Sequence, residues 1–230
     1  MNYVVILSGG SGTRIKDSAI PKQYIEICGK PMIKYGVEQF DTSCLIDGIV
    51  IVCALEWREM LNNSIGLKSK KFLGYADAGS SRQESVLNGL LFLKNFAHYD
   101  DIVIIQDAAR PFTTHKMIED CVNGAKEMDG AMPAIPVKDT VYCVKDDKTI
   151  DKTLNRDYLY AGQSPEAFLF GKYFDVNITA SKEEISLTRG SSEIAVKNGM
   201  RIKIVMGDEN NFKITTNQDL ERCKQILEKK

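Results

Sequence analysis

A short apolar run, Tyr3–Leu7, breaks directly into Ser8-Gly9-Gly10-Ser11-Gly12-Thr13-Arg14, with three glycines in four residues. A continuous β-branched run of this length suits a strand buried on both faces of a parallel sheet. Glycines straight after such a strand let the backbone turn tightly and aim successive N–H groups at an anion. The loop is not a P-loop, because no G-x-x-x-x-G-K-[S/T] is present. Nor is it the dinucleotide fingerprint, whose third glycine would fall at Ile15. Arg14 closes the loop and Pro21-Lys22-Gln23 follows. Two cations beside a phosphate-sized backbone nest can stabilise charge on a phosphoryl group. Read alone, the segment is equally a tight turn with surface cations.

The rest of the chain alternates strand and helix. Ile46–Cys53, Lys71–Tyr75, Asp101–Gln106 and Arg201–Met206 read as strands, and Gly130–Pro136 as a strand broken by Pro133 and Pro136. Met32–Phe40, Trp57–Leu67, Gln83–Phe96, His115–Met128, Glu183–Asn198 and Asn217–Glu228 read as helices, the last capped by Asn217. The fold class predicted is α/β, a mostly parallel open sheet with helices on both faces. Residues 1–230 read as a single domain. Val141–Val144 and Lys148–Lys152 form a polar hairpin around Asp146-Asp147, so the segment at about 138–156 is expected to project as an arm.

Composition removes several classes of function. Thirty basic against 31 acidic residues leave a net charge of −1, which excludes a generally basic nucleic-acid binder or a polybasic membrane tether. No apolar stretch approaches the ~20 residues of a spanning helix, so the expectation is no membrane association and a cytoplasmic location. Six cysteines without a C-x-x-C pair argue against a zinc site and a disulfide framework. The two histidines, His98 and His115, lie in polar surroundings and read as surface residues, whereas Trp57, Tyr158 and Tyr160 read as packing residues.

Further candidates follow later strands. Asp107-Ala108-Ala109-Arg110-Pro111 comes directly after Asp101–Gln106, where ligands gather in open α/β sheets. A carboxylate there is a natural Mg²⁺ ligand beside triphosphate oxygens, and equally a helix-leading Asp in a turn. Gly79-Ser80-Ser81-Arg82-Gln83-Glu84-Ser85 can read a base edge through its amides and the Ser85 hydroxyl, or can simply cap a helix. Lys213 and Arg156 can each reach a phosphate, or snorkel to water.

Taken in order, these pieces resemble a known family. S-G-G-S-G-T-R, P-K-Q-Y and G-K-P-M resemble the opening of sugar-type nucleotidyltransferases. G-S-S-R-Q-E-S-V-x-N-G-L, D-A-A-R-P, P-V-K-D-T, Q-S-P-E-A-F and N-F-K-I-T-T-x-x-D-L are similar to the cytidylyltransferases that make CDP-alcohols. The resemblance runs from Tyr3 to about Leu220. It implies a Rossmann-like nucleotidyltransferase fold that joins CTP to a polyol phosphate, with Mg²⁺ as cofactor. It implies a transition-state role for Arg14 and Lys22, and a phosphate cradle of Leu7, Ser8, Gly9, Gly10, Ser11 and Gly12. Gly79, Arg82 and Ser85 would hold the nucleotide, and Asp107 the metal. Thr140 and Arg156 would contact the acceptor, Lys213 would position substrate, and the segment between Thr140 and Arg156 would exchange with a second copy in a homodimer. Asn211 matches best as a second metal ligand.

The chain departs from the family at Thr188-Arg189-Gly190-Ser191-Ser192, where relatives commonly carry T-D-D-A, and at Ser8, where many carry alanine. Tyr160-Ala161-Gly162-Gln163-Ser164-Pro165 and Glu56-Trp57 resemble the branch acting on D-ribitol 5-phosphate rather than on 2-C-methyl-D-erythritol 4-phosphate. A phosphate monoester is mostly dianionic near pH 7, with a second pKa of about 6, so no general base is required. A CTP sensor without chemistry is the alternative of another class. A glycosyltransferase is disfavoured, because the D-x-D position after Asp107 is Ala109.

Overall fold

A computed structural model describes residues 1–10, 20–65 and 70–229. Its strands are β1 (Asn2–Leu7), β2 (Glu26–Ile27), β3 (Lys30–Pro31), β4 (Gly48–Cys53), β5 (Phe72–Asp77), β6 (Ile102–Asp107), β7 (Gly130–Pro136), β8 (Val141–Val144), β9 (Ile150–Leu154), β10 (Tyr160–Gly162), β11 (Glu166–Leu169) and β12 (Ile202–Met206). Its helices are α1 (Met32–Thr42), α2 (Arg58–Ile65), α3 (Arg82–Leu93), α4 (His115–Glu127), α5 (Phe170–Thr179), α6 (Lys182–Leu187), α7 (Ser191–Lys197) and α8 (Asn217–Leu227).

Strands β5, β4, β1 and β6 lie side by side and parallel, with β1 between β4 and β6. The antiparallel β11 then separates β6 from β7. Strand β7 also pairs with β10 antiparallel and with β12 in parallel. The sheet is mostly parallel, as expected. Its central strands are apolar through their middles because each feeds two cores. Val4 and Ile6 point to one face with Ile49, Ile51 and Ile104, against Phe40 of α1 and Val122 of α4. Tyr3 and Val5 point to the other, with Val50, Val52 and Val103, against Leu90 of α3 and Tyr173 of α5. Helix α3 lies so close that a Cβ on Gly89 would stand 2.4 Å from Val5 Cγ1.

Four expectations need correction. Strand β7 runs unbroken through Pro133, whose ring only removes a donor. Its carbonyl is used, accepting from Gln163 N at 2.7 Å. Glu183–Asn198 is two helices, α6 and α7, parted at Thr188–Gly190. The cap of α8 is Thr216, not Asn217: the Thr216 side chain accepts from Asp219 N, and Asp219 answers to the Thr216 N–H. Tyr158 and Tyr160 are 82% and 51% exposed in the single chain, whereas Trp57 does pack, 4.9 Å from Tyr24. The hairpin exists as β8 and β9, a separate two-stranded sheet. Both histidines are exposed.

Candidate active site

The carboxyl ends of β1 and β6 meet at register Leu7–Asp107, so the glycine loop and the Asp107 segment leave the sheet side by side. Ser8 continues β1 by donating its N–H to Val52 O at 2.8 Å. Gln23, which is buried, then fixes the loop: its amide donates to Ser8 O at 2.6 Å and to Gly10 O at 2.8 Å. Tyr24 and Ser8 join hydroxyls at 2.7 Å. With its carbonyls held from behind, the loop is built to spend its N–H groups elsewhere. Gly9 is required by close approach, because a Cβ there would stand 2.5 Å from Ala78 Cβ. Sequence reasoning passed over Gln23 and Tyr24. The signal was present in P-K-Q-Y, since a glutamine next to a glycine loop can satisfy two carbonyls at once. Arg14, Ser11 and Gly12 lie outside the described residues.

Facing this loop, Ser81 caps α3 by accepting from Glu84 N at 3.1 Å. The Ser85 hydroxyl accepts from Gly79 N and donates to Ser81 O, both at 3.0 Å. Arg82, in the first turn of α3, therefore enters the cleft from a fixed base.

Asp107 ends β6 and is buried. Arg82 Nε reaches its Oδ1 at 3.2 Å, Lys213 Nζ its Oδ2 at 2.9 Å, and Arg110 Nε stands 3.9 Å from Oδ2. Burial by itself raises the Asp107 carboxyl. Arg82, then Lys213 and Arg110, more than reverse that and hold it well below the usual carboxylate range, so it is an anion at any ordinary pH. Arg82 also reaches Glu166 Oε1 at 3.2 Å and Ser191 Oγ at 2.8 Å. Glu166, on β11, is a site residue that pattern reading missed. Its other oxygen accepts from Ser192 N and Oγ at 2.9 and 2.8 Å, which fastens the start of α7 to the cleft.

Two cavities meet at Asp107. One, of about 410 Å³, is walled by Leu7, Gly9, Lys22, Gln23, Ser81, Arg82, Ser85, Ala108 and Thr188. Lys22 Nζ donates to Ile214 O at 2.7 Å there. The other, of about 310 Å³, is walled by Arg110, Met132, Gly162, Gln163, Glu166, Ser192 and Glu193. Arg82, Asp107, Arg189 and Lys213 belong to both.

Three expected residues stand elsewhere. Asn211 is fully buried, donates its amide to Ser164 O at 2.8 Å, and lines neither cavity. Its Oδ1 has no hydrogen-bond partner among the described residues. Thr140 and Arg156 sit on exposed backbone at the base of the arm and line neither cavity within one chain. Arg156 Nη1 donates to Lys138 O at 2.8 Å.

No group of three or more His, Cys, Asp or Glu side chains stands together to cage a metal among the described residues. No helix is long and apolar enough to cross a membrane among them either.

Residues 2–229 match the family model described as IspD, 2-C-methyl-D-erythritol 4-phosphate cytidylyltransferase. The protein of that name from Clostridium acetobutylicum is 35% identical over 231 residues, covering 100% of this chain and 98% of its own length. The ribitol-5-phosphate cytidylyltransferase of Lactiplantibacillus plantarum is 30% identical over 239 residues, covering 100% of each. Among solved structures, the 2-C-methyl-D-erythritol 4-phosphate cytidylyltransferase of Francisella tularensis superposes with a TM-score of 0.82 at 27% identity, over 97% of this chain and 98% of that one. The 4-diphosphocytidyl-2C-methyl-D-erythritol synthase of Anaerococcus prevotii shares the fold with a TM-score of 0.83 at 24% identity, over 99% and 96%.

Proposed function

Because this chain belongs to the 2-C-methyl-D-erythritol 4-phosphate cytidylyltransferase family, we propose that it transfers CMP from CTP to the phosphate of a sugar alcohol, with D-ribitol 5-phosphate as the favoured acceptor. The observation that carries this reading is the meeting of two cavities at Asp107 and Lys213, one beside the glycine loop and Lys22, the other beside Arg110 and Gln163. A two-substrate transfer needs such a seam, with an anion on each side.

In this reading CTP occupies the cavity of the glycine loop. Gly9 and Gly10 offer backbone N–H groups to its phosphates, and Gly79, Ser81 and Ser85 border the base. An acceptor phosphate oxygen attacks the α-phosphorus, the bond from that phosphorus to the β-phosphate oxygen breaks, and pyrophosphate leaves with the electron pair. The attacking group is already an anion, so the protein supplies positioning and cations: Lys22, Lys213 and Arg82, with Arg14 in the same role.

Mg²⁺ fits as a partner of one protein carboxylate. Asp107 is held as an anion and lines both cavities, so once the ion took the place of a paired cation, phosphate oxygens and waters would supply the remaining ligands, as Mg²⁺ is commonly held. When bound there, the ion neutralises charge on the triphosphate.

Ribitol 5-phosphate is favoured by Tyr160–Pro165, whose Gly162, Gln163 and Ser164 line the second cavity. The second reading, 2-C-methyl-D-erythritol 4-phosphate as acceptor, is supported by the 35% identity to the Clostridium acetobutylicum protein of that name. Thr140 and Arg156 would complete the acceptor site across a homodimer, with the arm of one copy laid on the cleft of the other.

The test is pyrophosphate release from CTP and Mg²⁺ with the two acceptors in parallel. The expected result is a larger kcat/KM for ribitol 5-phosphate. The reverse ratio would move the enzyme to the second reading. CTP binding with no turnover on any polyol phosphate would overturn catalysis in favour of a CTP sensor.

A further inference from the structure

Four residues belong to both cavities, and three of them are bound to one another: Arg82 and Lys213 hold Asp107 at 3.2 and 2.9 Å. The fourth, Arg189, is differently placed. It lies in the break between α6 and α7, and its backbone N–H is anchored to Glu193 Oε2 at 2.8 Å. Its side chain is exposed, and its guanidinium meets no hydrogen-bond or ion-pair partner among the described residues. The backbone is fixed while the five N–H donors are left uncommitted.

The charge at the seam shows what such a fork can do. Arg82, Arg110 and Lys213 face the carboxylates of Asp107 and Glu166, so most of their charge is already compensated. Arg110 further donates to Asn211 O at 2.5 Å. Gly9 of the glycine loop and Lys22 line the nucleotide side. Among the described residues of one chain, Arg189 is then the acceptor-side cation not already paired, beside any that the arm of a second copy would add, and that side must bring a dianionic phosphate against the α-phosphate of CTP. Ser186 and Thr188 line the nucleotide side and Gly190, Ser192 and Glu193 the acceptor side, so Arg189 stands where this segment passes from one cavity to the other. A planar guanidinium matches a phosphate in two parallel hydrogen bonds, which a lysine cannot reproduce.

We propose that Arg189 is an acceptor-binding residue that takes the acceptor's phosphate monoester at the seam of the two cavities. The inference rests on the transferase reading above. It assigns the acceptor phosphate, rather than the triphosphate, to this side chain.

The experiment uses the full chain and begins with the wild type. Turnover of at least one polyol phosphate establishes the transferase reading, and its failure is recorded there, before any variant is compared. Arg189→Ala, Arg189→Gln and Arg189→Lys are then assayed for both substrates. The expected result is a rise of about 10- to 100-fold in KM for the acceptor, with KM for CTP within about twofold. Arg189→Lys should recover only part of the loss. Inorganic phosphate, tested as an inhibitor competitive with the acceptor, should weaken by the same factor. A rise confined to KM for CTP would overturn the proposal by moving Arg189 to the nucleotide. Unchanged KM values for both substrates would overturn it outright. Calorimetric titration of wild type and Arg189→Gln with inorganic phosphate reads the same contact without turnover, so it stands even if no acceptor is found, and equal affinities would sink it.

Discussion

In the cleft, one arginine, Arg82, is shared between two buried carboxylates, Asp107 and Glu166, at 3.2 Å each. On the arm, Tyr142, Val144 and Ile150 stand 49%, 57% and 62% exposed on a two-stranded sheet of their own. The cleft resolves its costs within one chain, since a buried ion is tolerable only when paired and hydrogen-bonded. The arm leaves apolar surface in water, with the acceptor candidates Thr140 and Arg156 at its base. A region that satisfies itself can be read from one chain, whereas a region with unspent apolar area points to a second surface.

The contrast can be tested from the largest effect to the smallest. Lys22→Ala should lower kcat by about 100- to 1,000-fold and raise KM for CTP far less, because the charge it meets grows in the transition state. Steady-state kinetics separates the two, and a pure KM effect would assign Lys22 to ground-state binding. Glu166→Gln should cost about 2–3 kcal/mol in chemical denaturation, since it removes the charge from a buried group that serves Arg82 and Ser192 together. A loss below about 0.5 kcal/mol would mean that the cleft does not depend on this pairing.

Asp219→Asn should cost about 1 kcal/mol, as loss of a capping contact does. Burial raises the Asp219 carboxyl, but the Thr215 N–H and hydroxyl and the Thr216 N–H outweigh it and lower it. A group lowered on folding stabilises above its unfolded value of about 3.9. The gap between wild type and variant should therefore persist at neutral pH and close as the solution is acidified below about pH 4. The smallest effect on the fold belongs to the arm. Tyr142→Ser with Tyr158→Ser should shift chain stability by less than about 0.5 kcal/mol, yet convert a sedimenting dimer to single chains. A wild type that already sediments as a single chain at working concentration would break the link between the arm and a second copy.

Much of the cleft was legible in the sequence because local rules set it. A β-branched run followed by glycines gives β1 and its loop, and Asp107 follows an apolar run long enough to be only a central strand. Glu166 was not legible. Strand β11 has four residues, Glu166–Leu169, too few for a period to show. Helix α5 is largely apolar, with buried Phe170, Tyr173 and Phe174, and it follows β11 without a polar cap. The break between α6 and α7 was hidden for the opposite reason. Its helical spacing looks continuous, and only Gly190 marks the interruption that turns Arg189 toward the cavities.

The amino-acid order by itself determined the alternation of elements, the two-faced core and the position of the glycine loop and Asp107 at strand ends. These follow from side-chain period and backbone conformation, which act over a few residues. Only the tertiary structure decided which charges meet. Lys213 reaches Asp107 from 106 residues away, Arg82 reaches Glu166 from 84, and Arg82 reaches Ser191 from 109. No local rule ranks such pairs, because the penalty for burying a charge is fixed by whatever the folded chain brings beside it.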